Sequence, residues 1–322
     1  MSSRYGPMQV IVNPRAGKGA VERGWPAVQV VLRDEDLEHE VAFTEDVGHA
    51  TQLAREAIDH GCRFIVAVGG DGTLNEVVNG MMGEDGPIEP EAVLGVVAAG
   101  SGSDFVRTFG LSQDPGEAAK HLTGKTLWGT LDIGRVRFRA PDGSDASRWF
   151  VNIAEAGIGA KVVEMAARMP RWLGARAYRI GALRGIASFK PTDATIVMNG
   201  RKARGVRKDS PLEDVKWAGP LTMLVVANCQ FFGGGLRVAP RAIPSDAMLD
   251  VLIGHGSKWQ AIQALKRMPR GEHVPNATIE ELLADMIRLE TTEPIPIEAD
   301  GEWLGTTPAT FELHAGAIPL KI

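Results

Sequence analysis

The chain has 322 residues, 44% hydrophobic and 23% charged, with a formal net charge of −5. That length favours two domains over one core, and the composition is that of a globular protein. The negative balance excludes a global attraction to nucleic acid or to an anionic membrane, so any such contact needs a local patch.

Two cysteines, Cys62 and Cys229, lie far apart and form neither a metal-spacing motif nor a disulfide framework, which suits a reducing cytoplasm. The opening MSSRYGPMQVIVNP lacks the apolar core of a signal peptide, and no run approaches 18 apolar residues. The expectation is a chain that is neither exported by that route nor membrane-spanning.

Met8 to Val12 reads as a first strand, followed by Asn13, Pro14, Arg15, Ala16, Gly17, Lys18 and Gly19. This strand-to-helix turn is rich in glycine and carries two cations, but Val12 and Gly19 stand where a Walker P-loop needs Gly and Ser or Thr. A helix follows from about Val21 to Leu32, with Pro26 kinking or delaying it. Glu40 to Thr44 is a short strand. Ala50, Leu53, Ala54, Ala57 and Ile58 then form a helical stripe closed by Gly61.

Residues 66 to 80, VAVGGDGTLNEVVNG, are the stretch that organises the chain. A buried strand runs into Gly69, Gly70, Asp71, Gly72 and Thr73, and Leu74, Val77, Val78 and Met81 mark one face of the helix that follows. Glycines let backbone approach a phosphate, and the N–H groups at a helix start point toward it. Asp71 would repel phosphate unless a cation lies between them, which suggests a nucleotide phosphate carried with Mg²⁺.

Val93 to Ala98 is a further buried strand that ends in a third glycine turn, Ala99 to Phe105, with Asp104 placed to cap a short helix. Repeated β-then-α units predict a parallel, helix-covered sheet whose ligands bind at the strands' C-terminal ends. The three turns are therefore expected to converge on one nucleotide.

Near Ile133 the texture changes to short strands: Leu127 to Ile133, Val136 to Arg139, Phe150 to Ala154, Ala194 to Met198, Leu221 to Asn228, Met248 to Ile253, Ile287 to Thr291, Ile295 to Ala299 and Ala309 to Leu313. This pattern predicts an antiparallel sandwich over about 133–315, after an α/β domain over 1–132. Residues 316–322 are expected to return to the first domain.

Between 165 and 190, Arg168, Arg171, Arg176, Arg179, Arg184 and Lys190 carry six charges with no acid among them, interleaved with Met, Trp, Tyr, Leu, Ile and Phe. Two readings stay open: a segment lying on an anionic bilayer surface, or a helical hairpin with an apolar face in the core and solvated arginines. Arg201 to Lys208 reads as a basic hairpin tip. Gly233-Gly234-Gly235 reads as a flexible turn. Gly157-Ile158-Gly159 lacks the third glycine of a dinucleotide fingerprint, and no histidine pair has zinc-site spacing.

On these residues the sequence resembles the bacterial diacylglycerol kinase catalytic-domain family of lipid kinases, which also includes sphingosine and ceramide kinases. Asn13-Pro14 with Gly17 and Gly19, Gly69 to Glu76, and Gly100 to Phe105 carry the likeness. So do Asn152 to Gly159, Pro240 to Val251 and Asp300-Gly301-Glu302, all in the family's order. The resemblance implies an α/β domain like that of NAD kinase and phosphofructokinase, then a β-sandwich domain, with the active site in the cleft between them.

By the same resemblance, ATP and Mg²⁺ are the cofactors. Asn13, the Gly69, Gly70, Asp71, Gly72, Thr73 and Asn75 loop, Thr44 and Ser101 would contact the nucleotide. Asp300 and Glu302 fall in the motif that supplies the catalytic base. In the chemistry, Mg²⁺ bridging Asp71 to the phosphates, with Arg15 or Lys18, would offset the developing charge. Asp246, with backbone carbonyls near Ile243 and Met248, matches a structural Mg²⁺ site. Two departures stand out: Ser103 replaces the usual Asn of the Gly-Thr-x-Asn-Asp-Phe signature, and Ala247 replaces a common glycine.

Phosphoryl transfer to a lipid hydroxyl requires an aligned triphosphate, offset charge and a proton acceptor, the last worth about 10²- to 10⁴-fold. The expected function is an ATP- and Mg²⁺-dependent kinase for diacylglycerol or a similar long-chain alcohol presented at a membrane surface. Such a protein would be cytoplasmic and peripheral at the inner membrane face, without a nucleic-acid partner; a homodimer stays open. The alternatives are a soluble NAD-type kinase and a catalytically inactive lipid-binding relative.

Overall fold

The computed structural model describes residues 5–34, 38–98, 103–123, 127–169, 175–203 and 210–322, without the side chains of 175–179, 182 and 183. The chain divides into two compact units. The first comprises Met1–Ile133 with Gly233–Gly235 and His314–Ile322, and the second Gly134–Phe232 with Leu236–Leu313.

The first unit alternates strand and helix: β1 (Met8–Val12), α1 (Ala16–Asp34), β2 (His39–Phe43), α2 (His49–Asp59), β3 (Phe64–Gly69), α3 (Asp71–Met81), β4 (Val93–Ala98), α4 (Asp104–Thr108) and α5 (Pro115–Ala119). Every residue of β1, β3 and β4 is buried, as expected of parallel strands covered on both faces. β2 lies at the edge, and all its residues are exposed or half-buried. The order β2-β1-β3-β4 is parallel throughout. Neighbours on both sides of β1 make the C-terminal ends of β1 and β3 the switch point of the sheet, where ligands of open α/β sheets bind.

Gly17, Lys18 and Gly19 are left-handed, so α1 is regular only beyond them and runs through Pro26 to Asp34. The core of this unit joins Val10, Val12, Trp25, Leu32, Phe64 and Val97.

β5 (Gly129–Arg139) leads into the second unit, with β6 (Asp145–Phe150), β7 (Ile153–Gly157), α6 (Ile158–Ala167), α7 (Ala175–Ser188), β8 (Thr192–Lys202), β9 (Glu213–Leu221) and β10 (Met223–Ala227). A two-residue hairpin, β11 (Phe231–Phe232) with β12 (Leu236–Arg237), precedes β13 (Leu249–Gly254), α8 (Lys258–Arg267), β14 (Ile279–Thr291), β15 (Pro296–Ala299) and β16 (Glu302–Lys321). The antiparallel path β15-β7-β10-β13-β14 closes on itself, because β16 pairs with both β15 and β14. The enclosed core includes Phe150, Ile196, Leu224, Val251, Ile287 and Phe311. The α/β-plus-β-sandwich class read from sequence is therefore the observed one.

The last residues of β16 belong to the first unit, where Leu320 pairs in parallel with Leu94 of β4. β14 is longer than its sequence suggests. Residues 279–286 (IEELLADM) carry few β-branched side chains, yet pairing with β8 on one side and β13 on the other extends the strand through them.

In the 165–190 segment, α6 and α7 form a packed helical pair. A Cβ on Gly181 would meet Ala166 N at 2.7 Å, and one on Gly185 would meet Val162 Cα at 2.9 Å, so glycine lets the backbones approach. Phe189 is buried and Ile186 packs on the core. Arg168 pairs with Glu164, one residue before the acid-free window, and lies over Trp303. Arg171 and Trp172 lie outside the described residues, as do residues 204–209 of the second basic run, which joins β8 to β9. Among the described residues, no helix is long and apolar enough to cross a membrane.

Candidate active site

In the first unit the ends of β1, β3 and β4 are tied together. Asn13 N donates to Val68 O at 3.0 Å, and its side-chain amide donates to Thr73 Oγ1 at 2.9 Å, linking the first turn to the glycine loop. Asn13 Oδ1 accepts Arg15 N, which orders the Asn-Pro-Arg turn. Thr44 is buried at the end of β2, its N–H bonded to Val12 O. Arg15 is exposed, with Asp46 at 4.0 Å.

The three loop glycines differ in their reasons for being glycine. A Cβ on Gly69 would collide with Thr73 Oγ1 at 2.5 Å, so packing requires it. Gly70 has φ −95° and Gly72 lies within α3, neither takes a positive φ, and among the described residues neither would have a neighbour within 4 Å of an added Cβ. Among the described residues nothing demands glycine at these two positions. A small recess beside them is lined by Gly69, Gly70, Asp71, Leu74, Ser103 and Phe105.

Asp71 has a structural role that the sequence did not reveal. Its Oδ2 accepts Asp104 N and its Oδ1 accepts Phe105 N, both at 3.0 Å, so Asp71 satisfies the start of α4. The expected cap, Asp104, does not do this. The N-cap residue is Ser103, left-handed at φ 47°, with no side-chain cap bond. Asp104 Oδ2 instead accepts Gly234 N at 2.7 Å. Burial, opposed by that bond and reinforced by Asp71, pushes the Asp104 carboxyl above its ordinary range. The triple glycine is thus a strut on Asp104 rather than a loose turn; its three residues all take positive φ, which favours glycine. Ser101, with Gly100 and Gly102, lies outside the described residues.

Farther along α3, Asn75 is buried and its Oδ1 accepts Asn79 Nδ2 at 3.1 Å. Glu76 Oε2 accepts Ala50 N at 3.1 Å, covering the start of α2, and Glu76 O accepts the Thr51 hydroxyl. Residues 69–76 therefore satisfy the starts of two other helices, α4 and α2, as well as presenting a loop.

In the second unit the Asp300-Gly301 turn joins β15 to β16. Asp300 Oδ2 accepts Val151 N at 2.7 Å, and Oδ1 accepts Asn152 N at 2.9 Å and Ile153 N at 3.1 Å. Asp300 itself is left-handed at φ 48° and Gly301 at φ 86°. Glu302 is more accessible, with its side chain 42% exposed and Arg148 at 2.9 Å.

Sequence reasoning missed a buried carboxylate pair beside this turn. Glu298 on β15 is the register partner of Glu155 on β7, and both are buried. Glu298 Oε2 accepts Gly301 N at 2.8 Å. Burial pushes Glu155 up to about 7, and burial together with Glu155 raises Glu298 well above its ordinary range. The available signal was a lone acid inside each of two apolar strands, IAEAG and PIEA.

Asp246 and Met248 flank Ala247, which is exposed and holds φ 59°, so the turn keeps a left-handed residue although glycine is absent. The Ile243 carbonyl accepts Ser245 N and Asp246 N within its own turn. Asp250 is buried and raised to about 7, by burial first and Asp246 second. Carboxylate and carbonyl oxygens are the donor chemistry that suits Mg²⁺, although among the described residues no group of three or more metal-ligating side chains comes together.

These features can be set beside known proteins. The catalytic-domain model of diacylglycerol kinases matches residues 7–136, and the YegS C-terminal NAD kinase beta sandwich-like domain matches 152–322. The chain belongs to the diacylglycerol kinase family. A relative from Bacillus subtilis (strain 168), named "Putative lipid kinase YtlR", is 31% identical over 97% of both chains. The "Diacylglycerol kinase" of the same organism is 26% identical over 94% of this chain and 92% of its own. A crystal structure of a "putative diacylglycerol kinase" from Bacillus anthracis str. Sterne superposes with TM-score 0.73 at 23% identity, over 99% of this chain and 98% of the other. The chain is thus an enzyme of a lipid kinase family, with both of the family's domains.

Proposed function

We propose that this family member uses ATP and Mg²⁺ to phosphorylate the hydroxyl of diacylglycerol or a similar long-chain lipid alcohol, working as a peripheral protein at the inner membrane surface. The observation that carries the nucleotide part is the pair Gly70 and Gly72. Two glycines with no conformational reason, and no packing reason among the described residues, at the start of a helix at the switch point of a parallel sheet, leave room for close approach of a phosphate.

Within this reading, the loop amides and the α3 start bind and orient the phosphates, and Arg15 and Lys18 add positive charge. Each Asp71 oxygen holds one amide and keeps acceptor capacity for a hard cation. Bound Mg²⁺ would supply charge neutralisation for the transferred group. A second ion would fit the oxygen set of Asp246 with the carbonyls near Ile243 and Met248. Asp300 or Glu302 takes the proton of the lipid hydroxyl.

The test is incubation of the purified protein with labelled ATP, Mg²⁺ and lipid–detergent micelles. Label in the chloroform-soluble fraction, lost in Gly70→Ala with its melting temperature unchanged, is expected. Label confined to water-soluble products, or NADP⁺ formed from NAD⁺, would overturn the reading.

A further inference from the structure

Helix α8 and the 3₁₀ turn Met268–Arg270 that continues it, KWQAIQALKRMPR, contain four cations and no acid. A capping box of Ser257 with Gln260 fixes the start of the helix. Ala264 and Met268 are buried and define its inner face. Trp259, Gln263 and Lys266, spaced four and three apart, lie along the opposite face, with Arg267 beside them and Arg270 beyond.

Trp259 is 75% exposed and Leu265 41% exposed. None of Lys258, Lys266, Arg267 and Arg270 joins an ion pair among the described residues. Lys258 Nζ donates to Ala187 O at 2.9 Å, at the end of α7, where Arg184 and Lys190 are also exposed. An unneutralised basic face carrying a bare tryptophan is thus concentrated on a chain whose total charge is −5.

Two occupants have the matching charge, a nucleic acid and an anionic bilayer. Nucleic-acid sites use a groove or a stacking platform that tracks a phosphate backbone. Here the cations follow a single outward helix line. An indole among lysines and arginines on such a helix suits the headgroup level of a bilayer, where the ring sits between apolar and wet layers and the cations meet phosphates. We propose that the outward face of α8 is the membrane-contacting surface, with Trp259 entering the headgroup layer and Lys266, Arg267 and Arg270 on anionic lipid headgroups. This rests on the lipid-kinase reading for its purpose, but its test does not need turnover.

The full-length protein is sedimented without ATP with phosphatidylcholine vesicles and with vesicles containing about 30% phosphatidylglycerol, at low and moderate salt. Binding is expected only to the anionic vesicles, weakening with salt. It should fall about 100-fold in Lys266→Glu/Arg267→Glu/Arg270→Glu at an unchanged melting temperature. Trp259→Ala should weaken it at every salt concentration, and quenching by brominated lipids should be smaller in Trp259→Phe than in wild type. Equal binding by wild type and triple variant, equal binding to neutral vesicles, or tighter binding to duplex DNA than to vesicles would overturn the proposal. The triple variant should phosphorylate a short-chain lipid in neutral detergent at the wild-type rate. If wild type phosphorylates no lipid in any form, the kinase reading fails, while the vesicle data still judge the surface.

Discussion

Two aspartates in different units solve similar problems with opposite backbones. Asp71 reaches two amides at the start of α4, and Asp300 reaches three amides over Val151–Ile153. Around Asp71 the neighbouring glycines 70 and 72 have ordinary φ and, among the described residues, nothing close to an added Cβ. Around Asp300, the aspartate and Gly301 both sit in the left-handed region, so the turn is itself strained. The first loop runs straight into a helix, and the proposed phosphate contact would use its two glycines. The second is a left-handed turn whose carboxylate accepts three amides.

The comparison predicts its largest effect at Asp300. Asp300→Ala should leave three amides without their acceptor, a loss of about 3 kcal/mol or more in urea unfolding. A loss below about 1 kcal/mol would show that the turn holds itself. Gly70→Ala and Gly72→Ala should do the reverse, with unfolding free energies within about 0.5 kcal/mol of wild type and lipid phosphorylation lower by roughly 100-fold or more. Unchanged rates in both variants would remove the case for phosphate contact.

The Glu155–Glu298 pair offers a smaller, pH-dependent test. Both carboxyls are raised in the folded state, so the unfolded chain releases their protons first. Their contribution is fully present below about pH 4.5 and declines as pH rises toward 7 and beyond. Glu155→Gln should flatten the fall in melting temperature over that window and raise stability at pH 8 by roughly 1–3 kcal/mol. A wild-type slope retained in the variant would rule the pair out as its source. The smallest effect is expected at Ala247, which is exposed and left-handed. Ala247→Gly should stabilise by about 0.5–1 kcal/mol, and a destabilised variant would show that the methyl makes a contact worth more than the relieved strain.

Much of the fold was legible because parallel strands covered on both faces are continuous apolar runs. β1 and β4 fall on the residues their apolar runs mark, and each glycine turn follows its strand. β9 was missed because Glu213–Leu221 alternates on an exposed surface, and the first half of β14 because its residues favour helix while its neighbours impose a strand. At the site, glycine spacing was readable, whereas the hydrogen-bond role of each carboxylate was not. Asp104 was read as a cap from its position alone, yet an aspartate 33 residues earlier satisfies that helix start.

By itself the sequence determined the family, the order of strands and helices from β1 to α4, and the glycine loops, because these depend on residues close in the chain. Only the tertiary structure decided which acid answers which amide, that Glu155 faces Glu298, and that Trp259 stands in solvent on a helix face with exposed cations. Those facts depend on register and on burial by distant segments, and neither leaves a local pattern along the chain.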